Sequence, residues 1–300
     1  MRIKSVGFYK RLILVVVGLT ILLSTGFSIA LLVRNRSLEK RLDTTQFLPD
    51  DVVTVGATEL EPAGIVREAP VLSYQMLYPD FKASFYGFNA DLVGDKTVFL
   101  TFDDGPSEGT ATLLDILKKK GVGASFFVNG KSNRILSDQL KRMVEEGHTV
   151  GMHSYSHRYN VIYENIENLL DDFYRNYLYI KAETGKAPDI LRFPGGSINI
   201  FNLENYQSMV AEILRRGFIY YDWNVSAGDA SADATTQGII DNVVNGVRLC
   251  WGPAFVLMHD NDKAVLGEAL GPIIDTLSKE GYVFKALDNS VKPPMFIYPD

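Results

Sequence analysis

Short apolar runs alternate with longer amphipathic segments along the C-terminal two thirds of the chain. The apolar runs favour β-strands, and the segments between them, such as residues 166–184, have the apolar spacing of helices. The predicted strands lie in the stretches TVFLTFD, ASFFVNG, HTVGMHS, DILRFP, GFIYYDW, AFVLMHD and YVFKAL. About seven or eight such units predict parallel strands with crossover helices, and they favour a barrel over an open sheet.

The N-terminal region contains one long uncharged stretch. Residues 12–33 include no charged side chain and are rich in Leu, Val and Ile. This length matches the roughly 20 residues that cross a bilayer, and it exceeds the roughly 7–15 apolar residues of a cleavable signal. We therefore predict a single transmembrane helix over residues 12–33, preceded by a cytoplasmic tail over residues 1–11. A buried core helix is the alternative.

The orientation of this predicted helix is not decided by charge. Lys and Arg residues flank it in equal numbers on the two sides, so the positive-inside rule is close to a tie. We expect a single-pass protein of the cell membrane whose C-terminal domain lies outside the cell. That orientation rests on the function inferred below.

Residues 34–95 are predicted to form an extracellular linker with a partly ordered end. Four prolines interrupt it, at Pro49, Pro62, Pro70 and Pro79. The stretch SYQMLYPDF, residues 73–81, is rich in aromatic side chains, and we expect it to pack on the domain that follows. That domain is predicted to span residues 96–290, with a C-terminal tail over residues 291–300.

Charge and cysteine content exclude some functions. The formal net charge is −6, which argues against a nucleic-acid partner because such a partner asks for a basic face. Cys250 is the single cysteine, so an internal disulfide is excluded. We expect Cys250 to be a small buried apolar residue beside Trp251 rather than a catalytic thiol.

Polar residues fall where the predicted strands end. In parallel barrels the catalytic groups lie at the C-terminal ends of the strands. The residues at those ends are Asp103, Asp104, His153, His157, Arg192, Asp222, Trp223, His259 and Asp260. Three of the four histidines belong to this set, whereas His148 begins its strand and is expected to be structural.

The histidine pair and the aspartate pair together favour a metal site. His153 and His157 are four residues apart, which predicts one face of a helical turn. Two imidazoles and one carboxylate form a three-ligand catalytic site with a position open for water. One aspartate of the pair Asp103 and Asp104 would bind the metal while the other acts as a base, and the metal's charge would relieve their repulsion. The alternative, two aspartates that share a proton, would need no histidines nearby.

Five motifs in order resemble those of the polysaccharide deacetylases, also called the NodB homology domain or carbohydrate esterase family 4. They are TFDDGP, HSYSH, RFPGG, DW and LMH, within residues 96–287. The stretch YYDWNVSAGDA is similar to membrane-anchored peptidoglycan N-acetylglucosamine deacetylases. The resemblance implies a deformed (β/α)7 barrel and metal-dependent removal of acetyl groups from N-acetylated glycans, such as peptidoglycan or a chitin-like oligomer.

The resemblance also implies a role for each matching residue. Asp103 would be the general base, and Asp104, His153 and His157 would hold a divalent metal, usually zinc or cobalt. Arg192 would position the base, and the backbone N–H of Gly195 would bind the oxyanion. His259 would be the general acid, oriented by Asp222. Trp223 and Leu257 would shape the pocket for the acetyl group.

One position departs from the family pattern. Gly195 stands where a large aromatic residue often follows the proline, so a contact with the sugar is expected to be missing there. Two other functions remain open at this point: an O-acetyl polysaccharide esterase on the same scaffold, and a catalytically inactive carbohydrate-binding membrane protein. A purely structural membrane protein is disfavoured by the chemistry gathered at the strand ends.

Overall fold

The computed structural model describes residues 71–89, 93–130, 134–261 and 264–296. They belong to a compact unit over Ala69–Asp300. The predicted cytoplasmic tail, the predicted transmembrane helix over 12–33 and most of the predicted linker lie outside the described residues. Within the described ranges, no helix combines the length and the apolar character that a membrane crossing requires.

Eight strands and seven α-helices alternate along the described part of the chain. The strands are β1 (Thr97–Asp103), β2 (Ser125–Asn129), β3 (Thr149–Ser154), β4 (Ile190–Leu191), β5 (Ile219–Tyr220), β6 (Val225–Ser226), β7 (Ala254–His259) and β8 (Val283–Phe284). The helices are α1 (Thr110–Lys120), α2 (Arg134–Glu145), α3 (Tyr159–Ile162), α4 (Ile166–Thr184), α5 (Tyr206–Arg215), α6 (Thr236–Leu249) and α7 (Ala264–Lys279). Each predicted strand is present, although β4, β5 and β8 are only two residues long.

The strands form one parallel sheet in the order β5-β4-β3-β2-β1-β7-β6, and β8 pairs with the start of β1. All seven residues of β1 are buried, as expected for a central strand covered on both faces. The predicted parallel sheet with crossover helices is therefore confirmed.

The two ends of the sheet are joined by the chain itself. β5 pairs with β4, and β6, four residues later, pairs with β7 at the other end of the order. One stretch of chain thus bridges the two edges of the sheet. The architecture is a parallel half-barrel, consistent with the deformed (β/α)7 barrel that the resemblance implies.

Local sequence signals explain where the long helices begin and end. The Asn165 side chain accepts a hydrogen bond from the backbone N–H of Asn168, which caps the start of α4. Gly185 follows α4 in the left-handed conformation, with φ of 72°. Glycine adopts this conformation without steric cost, so it ends the helix there.

The aromatic stretch 73–81 packs on the domain, as its composition led us to expect. Phe81 is fully buried, and Tyr78 stacks on Tyr174 of α4 with ring centroids 4.3 Å apart. Arg216, which is 6% exposed, donates hydrogen bonds from its guanidinium to four backbone carbonyls of this stretch. The packed structure therefore extends upstream of residue 96, where the linker was predicted to end.

Two expectations away from the strand ends have different outcomes. His148 is 7% exposed and its Nδ1 accepts a hydrogen bond from the backbone N–H of Ala124 at 3.1 Å, a structural arrangement. Cys250 is half-buried rather than buried, and burial raises the pKa of its thiol. Its neighbour Trp251 does not cover it, because the Trp251 side chain is fully exposed.

Candidate active site

Strand register brings the predicted polar residues to one edge of the sheet. The pairing of β1 with β7 sets Asp103 beside His259. The pairing of β2 with β3 sets Asn129 beside Ser154, the residue that follows His153. Because parallel strands end at the same edge, residues far apart in the sequence meet there.

Asp103 and Arg192 form a buried ion pair at this edge. The Arg192 side chain is fully buried, and its Nη1 lies 2.9 Å from Asp103 Oδ1. The same guanidinium donates to Thr101 Oγ1 at 2.7 Å and to the carbonyls of Tyr221 at 2.8 Å and Asp222 at 3.1 Å. With its donors fixed in this way, Arg192 holds the Asp103 carboxylate in one position.

Asp104, His153 and His157 form a cluster with the chemistry of a metal site. One potential ligand atom from each lies within 4.8 Å of the others. Asp104 Oδ1 is 3.1 Å from His157 Nε2 and 3.6 Å from His153 Nε2. His153 Nδ1 contacts the carbonyl of Arg192 at 2.9 Å. A proton on Nδ1 donates to this carbonyl and leaves Nε2 as the lone-pair nitrogen, so the two-nitrogen, one-oxygen set suits a zinc-like divalent ion.

The chain builds this cluster with unusual backbone conformations. Asp104 and His157 both have positive φ, 71° and 53° respectively, which non-glycine residues rarely adopt. The predicted helical turn between the two histidines is wrong: His153 lies in β3 and His157 follows it in a loop. In that loop Ser154 Oγ accepts the His157 backbone N–H at 2.7 Å. Such local strain is typical of functional sites.

Two side chains of helix α4 form hydrogen bonds with the same loop. Asp172, which is 5% exposed, accepts hydrogen bonds from the backbone N–H groups of Tyr155 at 2.6 Å and Ser156 at 3.0 Å. The buried Asn176 side chain donates to the carbonyls of Val128 and Ser154. These contacts tie the histidine loop to a long helix and thereby fix the position of His157.

The electrostatic environment keeps Asp104 ionised. Burial alone would raise the pKa of its carboxyl group, but the electrostatic attraction of His153, His157 and His259 and the hydrogen bond from Asn129 together outweigh burial and hold the pKa below its ordinary value. In this hydrogen bond Asn129 Nδ2 donates to Asp104 Oδ1 at 3.2 Å. An ionised Asp104 is the form that binds a cation.

His259 is oriented by Asp229 and not by Asp222, which corrects the role expected for Asp222. Asp229 Oδ1 lies 3.2 Å from His259 Nδ1, and Asp229 Oδ2 accepts the His259 backbone N–H at 2.7 Å. Burial lowers the pKa of His259, but the hydrogen bond and charge of Asp229, together with the charges of Asp103 and Asp104, outweigh burial, so the pKa lies above its ordinary value. The protonated imidazole is therefore favoured.

Asp222 instead joins two segments of chain beside the site. Its carboxylate accepts hydrogen bonds from the backbone N–H and the hydroxyl of Ser197, at 2.8 and 2.6 Å, and from the backbone N–H of Phe296 at 2.8 Å. The Asp222 backbone N–H donates to the carbonyl of Pro294 at 3.1 Å. Burial raises the pKa of Asp222, although these hydrogen bonds oppose the rise.

The remaining predicted residues lie around this edge. Gly195 follows Pro194 in the loop after β4, with φ of 77°. Trp223 lies over the Arg192 guanidinium, 5.8 Å from ring centroid to Cζ, and Leu257 is 7% exposed in β7. Asp260 has a structural contact, because its carboxylate accepts hydrogen bonds from the hydroxyls of Ser107 and Thr110.

Four site residues were not singled out from the sequence: Asn129, Tyr159, Asp172 and Asp229. The sequence could have indicated two of them, because Asn129 lies at the end of a predicted strand and Asp229 lies seven residues after Asp222. Asp172 lies within a helix, and no sequence pattern marks it. Tyr159 packs edge-on against His157, with ring centroids 5.3 Å apart, and burial and the charges of the two aspartates raise its pKa.

Comparisons with known proteins agree with this geometry. A family model described as polysaccharide deacetylase matches residues 91–213. The putative polysaccharide deacetylase YheN of Bacillus subtilis is 31% identical over 204 residues, which cover 67% of this chain and 70% of the relative. A peptidoglycan-N-acetylglucosamine deacetylase of Bacillus cereus is 31% identical over 210 residues, which cover 68% of this chain and 74% of the relative.

A solved structure shares the fold. The catalytic domain of a peptidoglycan N-acetylglucosamine deacetylase from Eubacterium rectale superposes with a TM-score of 0.65 and 36% identity. The match covers 73% of this chain and 98% of that domain. Together with the relatives' identity over most of their length, this likeness shows that the chain belongs to the polysaccharide deacetylase family of enzymes.

Proposed function

We propose that the protein is a metal-dependent hydrolase that removes N-acetyl groups from cell-wall glycan, with the N-acetylglucosamine of peptidoglycan as its substrate. The observation that carries the proposal is the cluster of Asp104, His153 and His157 beside the buried Asp103–Arg192 pair. The similarity to enzymes named peptidoglycan N-acetylglucosamine deacetylases supports this choice of substrate.

Asp104, His153 and His157 would hold a divalent ion, zinc or cobalt. Such an ion supplies Lewis acidity, which lowers the pKa of a water molecule and polarises an acetyl carbonyl. The residues present fit this role, because the Nδ1 of His153 is engaged by a backbone carbonyl and one potential ligand atom from each of the three residues lies within 4.8 Å of the others.

Asp103 acts as the general base. It is 3% exposed, and its Oδ1 accepts a hydrogen bond from Arg192 Nη1. The carboxylate takes a proton from the water molecule whose oxygen bonds to the acetyl carbon. The backbone N–H of Gly195 donates to the developing oxyanion, and one such donor contributes about 3–4 kcal/mol in other acyl-transfer enzymes.

His259 acts as the general acid. The bond between the acetyl carbon and the sugar nitrogen breaks only if the nitrogen gains a proton, because an amide anion is a poor leaving group. Asp229 contacts Nδ1 of His259, so Nε2 is the atom that delivers the proton. The products are acetate and a glycan with one free amine.

We propose that residues 12–33 anchor the protein in the cell membrane and that the deacetylase domain lies outside the cell, where the wall glycan is. The long uncharged stretch and the relatives' named substrate support this arrangement. Protease added to intact cells stripped of their wall should release the domain by cutting upstream of residue 71. Protection of the domain until the cells are lysed would contradict the proposal.

A chelation experiment tests the function itself. The protein should release acetate from N-acetylglucosamine oligomers in the presence of zinc or cobalt, lose this activity after dialysis against a strong chelator, and regain it when the ion is added back. Full activity after chelation would refute the role of the three ligands. Release of acetate from O-acetylated glycan alone would favour the esterase alternative.

A further inference from the structure

The end of β2 lies between the two segments that carry the candidate metal ligands. The Asn129 backbone N–H donates to the carbonyl of Gly105, the residue after Asp104, at 2.8 Å. The Gly130 backbone N–H donates to the carbonyl of Ser154, in the histidine loop, at 3.3 Å. One short stretch of backbone therefore contacts both the aspartate turn and the histidine loop.

The pairing of β2 with β3 changes register at this point. Val128 is opposite Met152, and Asn129 is opposite Ser154. His153 is therefore an extra residue on β3. Such a bulge re-aims a side chain and is common next to active sites. The end of β2 thus sets the local path of β3 at one candidate metal ligand.

The Asn129 side chain contacts another candidate ligand, Asp104, through its amide nitrogen. Asn129 is 6% exposed, and its Nδ2 lies 3.2 Å from Asp104 Oδ1. A carboxylate oxygen accepts hydrogen bonds and donates none, so the amide presents its nitrogen and not its oxygen here. The same Oδ1 lies 3.1 Å from His157 Nε2 and 3.6 Å from His153 Nε2. The contact therefore holds the Asp104 oxygen that faces both imidazoles.

The amide oxygen of Asn129 has no hydrogen-bond partner among the described residues, and this Oδ1 atom is buried. A buried carbonyl oxygen without a partner costs free energy, whereas an apolar side chain of similar shape avoids that cost. Stability alone would therefore favour leucine over asparagine at position 129. The contact of the amide nitrogen with Asp104 explains why a polar side chain lies there.

We propose that Asn129 is a positioning residue for Asp104. Its amide nitrogen fixes the carboxylate with Oδ1 directed at His153 and His157, and its amide oxygen is left buried without a partner. This inference rests on the metal-binding role of Asp104 in the proposed function. A residue that contacts a metal ligand rather than the metal typically changes metal affinity about 10- to 100-fold when it is replaced.

Asn129→Leu tests the proposal, because leucine has a similar size and lacks the amide donor. Zinc affinity, measured by calorimetry, should fall about 10- to 100-fold. The free energy of unfolding of the zinc-free protein in urea should not fall, because the substitution also removes the unpartnered oxygen. A purely structural role predicts the opposite pattern, with unchanged zinc affinity and lower stability.

The visible absorption spectrum of the cobalt-loaded protein is a second readout, and a loss of stability alone does not change it. The absorption bands of cobalt in the visible range depend on the arrangement of the ligands around the ion. At cobalt concentrations that saturate both proteins, the bands of Asn129→Leu should differ in position or intensity from those of the wild-type protein. Identical bands together with identical zinc affinity would overturn the proposal.

Gln139→Leu is the matched control. Gln139 lies in α2 and is 8% exposed, and its Oε1 is also buried without a hydrogen-bond partner among the described residues. No hydrogen bond or ion pair within the described part of the chain joins Gln139 to a candidate metal ligand. Gln139→Leu should therefore match the wild-type protein in zinc affinity and in its cobalt spectrum.

The outcomes separate this inference from the function on which it rests. If the wild-type protein binds zinc and Asn129→Leu binds it equally tightly, the positioning role is refuted and the proposed function stands. If the wild-type protein binds no divalent ion, the metal role in the proposed function fails, and the positioning role fails with it. If Asn129→Leu does not fold, Asn129→Ala decides the same zinc comparison, because alanine also lacks the donor and adds no bulk.

Discussion

Replacing Asp229 by asparagine should impair His259 without removing it from the site. Asp229 Oδ1 lies 3.2 Å from His259 Nδ1, and Asp229 is 2% exposed. Its other oxygen accepts the His259 backbone N–H at 2.7 Å, and an asparagine side chain can keep one of these two contacts. The change therefore removes a charge while the polypeptide around His259 keeps its path.

The charge matters because His259 must be protonated to act as an acid. Coulomb's law gives an upper bound of about 5 kcal/mol at this separation with an effective dielectric constant of about 20. The Asp229 charge and hydrogen bond hold the pKa of His259 up against burial, so their loss lowers it. Activity that requires protonated His259 is lost as the pH rises through that pKa. The alkaline limb of the pH profile should therefore move to lower pH in Asp229→Asn.

The size of the effect follows from the role of the acid. General acid catalysis is worth about 10²–10⁴-fold, and Asp229→Asn removes part of it, so kcat/KM on an N-acetylated oligosaccharide should fall about 10- to 100-fold at neutral pH. On an aryl acetate the loss should be small, because a phenolate leaves without a proton.

Asp222→Asn is the matched control. Asp222 makes no contact with His259 in the described structure, and its carboxylate holds Ser197 and Phe296. This variant should be less stable, yet its alkaline limb should coincide with that of the wild-type protein. The reverse pattern, with the limb shifted by Asp222→Asn and unmoved by Asp229→Asn, would refute the assignment.

Three further predictions test other parts of the molecule. Asp103→Asn should bind zinc as the wild type does and lose turnover, whereas Asp104→Asn should bind zinc at least about 100-fold more weakly, as calorimetry can show. Arg216→Ala should lower the free energy of unfolding in urea by about 3 kcal/mol, because buried Glu212 and four backbone carbonyls lose this partner. Lys118→Ala, which removes an exposed ion pair with Glu146, should change that free energy little. Burial lowers the pKa of folded His148 below the unfolded value of about 6.5, so the unfolded state binds a proton more tightly. The free energy of unfolding should therefore fall as the pH drops below about 6.5. In His148→Asn, pH-dependent unfolding should lack this part of the slope.

The alternation of strands and helices could be predicted because the burial of each element determines its pattern of apolar residues. β1 and β7 are buried between helices, so their runs are almost continuously apolar. β6 was not predicted, since Val225–Ser226 is only two residues long and only four residues separate it from β5. Closure of the sheet through this stretch depends on pairing between distant strands, which no local pattern encodes.

The strand-end residues could be identified because chemistry-bearing side chains are rare in such positions. Their contacts could not be identified in the same way. Asp222 lies at the end of one predicted strand and Asp229 follows the same strand. The register of β6 on β7, which aligns Ser226 with Leu257, sets Asp229 beside His259. The conformation of His157 was missed for a similar reason, because its positive φ depends on contacts with Ser154 and α4.

We propose that this protein hydrolyses the N-acetyl bond of N-acetylglucosamine in wall glycan. The most direct measurement treats purified peptidoglycan with the zinc-loaded protein, digests it to muropeptides and analyses them by tandem mass spectrometry. Each modified sugar should lose one acetyl group, located on glucosamine, and no such loss should occur with Asp103→Asn protein. Intact N-acetyl groups on every glucosamine, with or without loss of O-acetyl groups, would contradict it.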